Sequence, residues 1–182
     1  ADTPVTIKGT PATVTGTAWQ FDLPTGADGP LTIEAIAALG AIQSQAQVSG
    51  LVDRTPPELS WTLPETIDQG LDLPITWSAT DATTEVVSAS IQLNLTEITT
   101  DFSGTLNWPV PYDPALTQLN LLFTAQDRLG NTANTVQSIT VNPIDFQLTV
   151  TTPSDASWTN QTQIDVTGTL SHPGSVTVNG IS

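Results

Sequence analysis

Carboxylates are the only abundant reactive groups in this chain. Eighteen Asp and Glu stand against three Lys and Arg, with one histidine and no cysteine, for a formal charge of −15 over 182 residues. Nucleophilic catalysis needs a Ser, Thr or Cys with a base beside it. The lone His172 precedes Pro173 and Gly174, a sequence that reads as a turn. Thiol, zinc and nucleotide chemistry lack their parts, because there is no cysteine, no His-rich spacing and no Gly-rich phosphate loop. A glycosidase needs only a pair of carboxylates, but Glu34, Asp72 and Asp165 alternate with apolar neighbours and read as the solvated face of strands. The chain is expected not to be an enzyme and to require no cofactor.

Without a base, carboxylates can still hold a hard cation such as calcium, which takes oxygen ligands from several groups. Asp53, Asp127 and Asp145 are the candidate ligands: Asp53 and Asp145 lie near junctions, and Asp127 opens the turn Asp127-Arg-Leu-Gly-Asn131. The competing reading is that Asp127 and Asn131 only cap that turn with their side chains. Five tryptophans invite sugar stacking, but Trp61 and Trp77 fall in register with apolar neighbours and Trp19 and Trp108 recur at one repeat position, as core residues would. Trp158, between Ser157 and Thr159, is the best candidate for exposure. Asn94-Leu-Thr and Asn160-Gln-Thr fit the N-glycosylation pattern, and an isopeptide crosslink would have only Lys8 to use. The scarcity of Lys and Arg argues against nucleic acid. No run of roughly 20 apolar residues offers membrane insertion by this segment.

These residues must be positioned by strands. Leu71, Leu73, Ile75, Trp77 and Ala79 alternate with polar residues, as do Leu119, Leu121, Phe123 and Ala125, then Ile91, Leu93 and Leu95, then Phe146, Leu148 and Val150, then Val176 and Val178. The alanine-rich stretch from Leu31 to Val48 favours a helix by propensity. Gly40 splits it into two alternating arms, which predicts a hairpin.

An internal repeat organises the chain. Phe102-Ser-Gly-Thr with Trp108 matches Val14-Thr-Gly-Thr with Trp19, and Leu119–Ala125 matches Leu31–Ala37. Pro57-Glu-Leu-Ser-Trp-Thr-Leu-Pro and the following Leu73–Thr80 match Phe146-Gln-Leu-Thr-Val-Thr-Thr-Pro and Gln163–Thr169. The expected layout is a C-terminal half of a domain at 1–52, a complete domain at 53–142 and an N-terminal half at 143–182. The two halves together equal the complete domain in length to within about two residues, so residue 182 is expected to be followed by something like residue 1.

Asp53-Arg-Thr-Pro-Pro, Asp127-Arg-Leu-Gly-Asn131, Trp158-Thr-Asn, Val166-Thr-Gly-Thr and Val176-Thr-Val-Asn-Gly, in this order, resemble the bacterial immunoglobulin-like tandem repeat domains of large surface adhesins and extracellular filaments. The resemblance implies an all-β fold of tandem immunoglobulin-like Greek-key sandwiches and no reaction, and the repeat makes these one complete and two complementary half-domains. The first half departs from the pattern where Ala38-Leu39-Gly40 replaces the acidic turn, so a ligand role for Asp127 would not be shared by both domains. The expected function is a structural or adhesive repeat segment at the cell surface or outside the cell, with adjacent copies of the same repeat as partners. The alternatives are a fibre subunit that polymerises head to tail by exchanging half-domains, and a carbohydrate-binding accessory module of a secreted hydrolase.

Overall fold

The computed structural model describes residues 4–180, and every regular element among them is a β-strand. In chain order these are β1 (Val5–Ile7), β2 (Thr10–Pro11), β3 (Thr13–Thr15), β4 (Ala18–Gln20), β5 (Gly29–Leu39), β6 (Ile42–Val52), β7 (Glu58–Thr62), β8 (Thr66–Asp68), β9 (Asp72–Thr80), β10 (Val86–Leu93), β11 (Thr96–Thr99), β12 (Ser103–Pro109), β13 (Gln118–Asp127), β14 (Thr132–Asn142), β15 (Leu148–Thr152) and β16 (Thr167–Leu170). The all-β class expected of immunoglobulin-like domains is the class observed. Two compact units divide the chain: one runs to Leu63 and takes in Pro74–Leu106 and Asn120–Ser138, and the other comprises Pro64–Leu73, Asn107–Leu119 and the chain from Ile139.

In the first unit, the alanine-rich stretch is the β5–β6 hairpin, paired without interruption from Gly29↔Val52 to Leu39↔Ile42. Gly40 takes a φ of 61°, the left-handed conformation a two-residue hairpin turn requires. Cross-strand pairs along eleven residues of each strand outweigh the helical preference of the alanines. β1 joins the other edge of β5, with Val5 opposite Ala37 and Ile7 opposite Ala35, giving the sheet order β2-β1-β5-β6.

The segment 53–142 forms a five-stranded sheet, β11-β10-β13-β14-β8, and a three-stranded sheet, β12-β9-β7. Along β9, Ile75, Trp77 and Ala79 are buried while their neighbours are less so, and along β13 Leu121, Phe123 and Ala125 are buried in the same alternation. Trp61 of β7 packs on Phe123 of β13 with ring centroids 6.1 Å apart, joining the two sheets. The Trp77 indole N–H donates to the Asp101 carbonyl at 2.9 Å, so its ring is buried without an orphaned donor.

In the second unit, β8 runs parallel to the end of β14, with Ile67 opposite Val141. Leu73, Val110, Leu119, Ile139 and Val141 are buried there. Gln69 is 5% exposed and donates from Nε2 to the carbonyls of Asp113 and Leu116. Leu71 is exposed, because it lies in the turn before β9; the apolar face begins at Leu73. β15 and β16 pair as a two-stranded sheet whose Leu148 and Val150 remain more than half exposed. The alternation at Val176 and Val178 produces a single bridge residue, at Val178, and no strand among the described residues. Val176-Thr-Val-Asn-Gly180 repeats Val5-Thr-Ile-Lys-Gly9, and both make a two-residue turn with positive φ at its centre, at Asn179 and Gly180 as at Lys8 and Gly9. The two segments therefore share this turn in sequence.

Candidate functional site

Three aspartates converge beside the segment that links β6 to β7. Asp53 follows β6, Asp81 follows β9 and Asp127 ends β13, and one carboxylate oxygen from each lies within 4.8 Å of the others. Strand ends place them there: β9 and β13 each deliver an acid just after the last inward-facing alanine, Ala79 and Ala125. Asp127 is 1% exposed and Asp53 7%.

Each carboxylate is held by short local donors. Asp127 Oδ1 accepts from the backbone N–H of Leu129 (2.9 Å) and Asn131 (2.8 Å), and Oδ2 from Asn131 Nδ2 at 2.7 Å. The same Asn131 amide reaches the Asp53 carbonyl at 3.2 Å, tying the turn to the linker. Asp53 Oδ1 accepts from Thr55 N at 3.1 Å and Oδ2 from Thr84 Oγ1 at 2.6 Å. Asp81 Oδ1 accepts from the N–H groups of Thr83 (2.9 Å) and Thr84 (2.7 Å). Burial pushes the Asp127 carboxyl up, but the bonds from the Asn131 side chain and from the backbone of Asn131, Leu129 and Gly130 outweigh it and hold the group below the ordinary carboxylate value of 3.8.

Beside this cluster, Arg54 and Thr55 grip the loop before β5. Arg54 donates from its backbone N to Asp28 Oδ2 and from Nη1 to Asp28 Oδ1, both at 3.1 Å, and also to the Gly26 carbonyl and the Thr25 hydroxyl. Thr55 Oγ1 donates to Asp28 Oδ2 at 2.7 Å. The Thr55 hydroxyl and the Arg54 backbone, more than the guanidinium charge, lower the Asp28 carboxyl below 3.8. The other ion pair among the described residues, Arg128 with Glu85 at 2.9 Å, is exposed on both sides.

The three carboxylates thus have no cationic side chain bonded to them among the described ion pairs, which leaves their charge balanced by N–H and O–H donors alone. All-oxygen donors, two of them on buried residues, suit a hard cation such as calcium. Asp81 Oδ2 accepts no hydrogen bond among the described residues, so it would be free to turn to an ion. Asp53 and Asp127, expected as ligands, are brought together here. Asp145 is not in the cluster: its carboxylate accepts from Gln147 Nε2 at 2.5 Å, and its carbonyl from Ser171 Oγ. His172 Nδ1 lies 3.1 Å from that Ser171 hydroxyl.

Asp81, Thr84 and Asp28 were not legible as site residues. The one available signal for Asp81 was its place directly after an alternating strand, as Asp127 follows another. In the repeat alignment Asn142 stands for Asp53, Leu170 for Asp81, and Ala38-Leu39-Gly40 for the acidic turn, so the matching segments carry none of the three acids.

No known protein family matches the sequence, and no curated protein does. Among solved structures, the chain is similar to the fibronectin(III)-like modules of Clostridium thermocellum CbhA, at 17% identity and a TM-score of 0.38, over 78% of this chain and 76% of that one.

Proposed function

We propose that this chain is a repeat segment of a long extracellular filament or cell-surface adhesin stalk, in which 53–142 is a complete immunoglobulin-like domain and 1–52 and 143–182 are complementary halves of another. The reading assigns it no reaction. The observation that carries it is the contrast between matching positions. Ile75 and Trp77 of β9 are buried in the central domain, whereas Ile164 and Val166, which stand at the same places in the last half, are 44–49% exposed. Open apolar sheet faces and free edges pair with other chains unless they are covered. A matching half from an adjacent copy is the cover that the repeat supplies. The clasp of Arg54 and Thr55 on Asp28 supports the mechanical side of this reading, since it fastens the first half to the central domain with side chains rather than leaving a slack linker.

In this reading the carboxylates of Asp53, Asp81 and Asp127 are where calcium would be held, bracing the linker against the ends of β9 and β13. The hydrogen-bonded clasp requires no cofactor.

Two routes build the same filament: a tandem array in one polypeptide, or single copies that exchange halves head to tail. The mass of the native protein under denaturing conditions, with electron microscopy of the same sample, tests both. A mass far above 19.1 kDa means the array, and a mass near 19.1 kDa with fibres means exchange. A mass near 19.1 kDa with no fibres would contradict the proposal.

A carbohydrate-binding module is the second reading, favoured by one observation: Trp158 is 97% exposed, as a sugar-stacking ring would be. A glycan array tests it, with binding lost in Trp158→Ala as the supporting result.

A further inference from the structure

The central domain fixes where each strand of the last half-domain would sit on a second copy of the chain. Residues 143–170 follow 54–81 without insertion or deletion: Leu148 stands for Leu59, Val150 for Trp61, Pro153 for Pro64 and Val166 for Trp77. On this register Ala156 takes the place of Ile67 in β8, and Trp158 takes the place of Gln69. In the central domain Ile67 is paired in parallel with Val141 on the outer edge of β14, and Gln69 is 5% exposed. In the last half-domain the same stretch carries no strand, and Trp158 is 97% exposed. The counterpart of β14 in the first half is β6, which ends its sheet with no strand on its outer edge among the described residues and bears Leu51 and Val52 where β14 bears Thr140 and Val141.

We infer that Asp155–Ser157 of one copy adds as a short parallel strand to the open edge of β6 in another copy, that β15 and β16 cover the face of its β2-β1-β5-β6 sheet, and that Trp158 is the buried anchor of this contact. The inference rests on the half-domain complementarity proposed above and adds to it the strand, the edge and the residue. Both segments carry the sequence and turn of β1, so β1 keeps its place beside β5 and the donor supplies the covering sheet. The second copy is also large enough a partner. Phe146, Leu148, Val150, Trp158, Ile164 and Val166, exposed by 44–97%, offer on the order of 700 Å² of apolar surface, close to the ~800 Å² per partner of a standard stable interface. A tryptophan in such a contact commonly dominates its energy.

The test uses the whole chain labelled with 5-fluorotryptophan, the Trp158 resonance being assigned by Trp158→Phe. Sedimentation and fluorine NMR are followed together as concentration rises from micromolar to millimolar. The expected result is association accompanied by loss of the Trp158 solvent isotope shift, with Trp158→Ala weakening association at least tenfold while the central domain keeps its melting temperature. Association that leaves Trp158 exposed to water would overturn this placement and leave half-domain complementarity standing. A chain that stays monomeric throughout would overturn both. Loss of association on adding an oligosaccharide that binds Trp158 would give the ring to the sugar and overturn the anchor assignment.

Discussion

At the scale of single residues, Asp127 and Asn131 show how a surface turn becomes a structural lock. Asn131 bonds both the Asp127 carboxylate and the Asp53 carbonyl. Removing it by Asn131→Ala should cost about 1–3 kcal/mol of central-domain stability, read by denaturant melts, because a largely buried carboxylate then loses a partner. The pH dependence follows from the same bonds. Asp127 and Asp28 have folded pKa values below their ordinary 3.8, so their stabilisation is complete above that value and is lost as pH falls through the folded values. The melting temperature should hold steady from neutrality to about pH 5 and fall below about pH 4, and Asp127→Asn should shrink that fall. Calcium at millimolar concentration should raise the melting temperature, and Asp81→Asn should abolish the rise. An unchanged melting temperature in the parent chain would leave the three acids as turn caps alone. Two of these acids were legible, because Asp53 and Asp127 sit in recognisable junction and turn sequences. Asp81 was not, because only the pairing of β9 and β13 in space brings its strand end to theirs, and Asp145 was misleading because proximity to a junction in sequence says nothing about convergence.

At the scale of elements, period-two alternation was a sound guide wherever a strand had neighbours on both sides. Phe123 is fully buried between Trp61 and the inward face of its own sheet, and Phe123→Ala should cost about 3–5 kcal/mol in a denaturant melt. The hairpin at Gly40 was legible for a similar reason: a glycine flanked by two alternating arms defines a turn more firmly than alanine propensity defines a helix. Alternation failed at its ends and at orphans. Leu71 sits past the point where Gly70 turns the chain with a φ of 81°, and the Tyr112 ring occupies the space a side chain at 70 would need. Gly70→Ala should therefore destabilise the domain through both backbone strain and displacement of Tyr112, measurable as a drop in melting temperature of several degrees. Val176 and Val178 have the right pattern but form no strand among the described residues, because a strand is completed by its neighbour and not by its own sequence.

At the scale of the whole molecule, a formal charge of −15 with scattered apolar residues describes a chain that repels its neighbours at long range and can join them only through specific faces. Screening by salt should therefore favour association of copies, the opposite of its effect on a partner held by opposite charge. The repeat is the basis of the proposed division into one complete and two half-domains, whereas the two compact units cut across 53–142. The strand and edge inferred for the contact between copies rest on β8 running beside β14. The central claim is that the two halves are stable only together, and calorimetry of the 182-residue chain over a hundredfold range of concentration tests it most directly. The expected result is two transitions: one at a fixed temperature for the central domain, and one that rises with concentration as copies complete each other's half-domains. A thermogram in which no transition moves with concentration would contradict it.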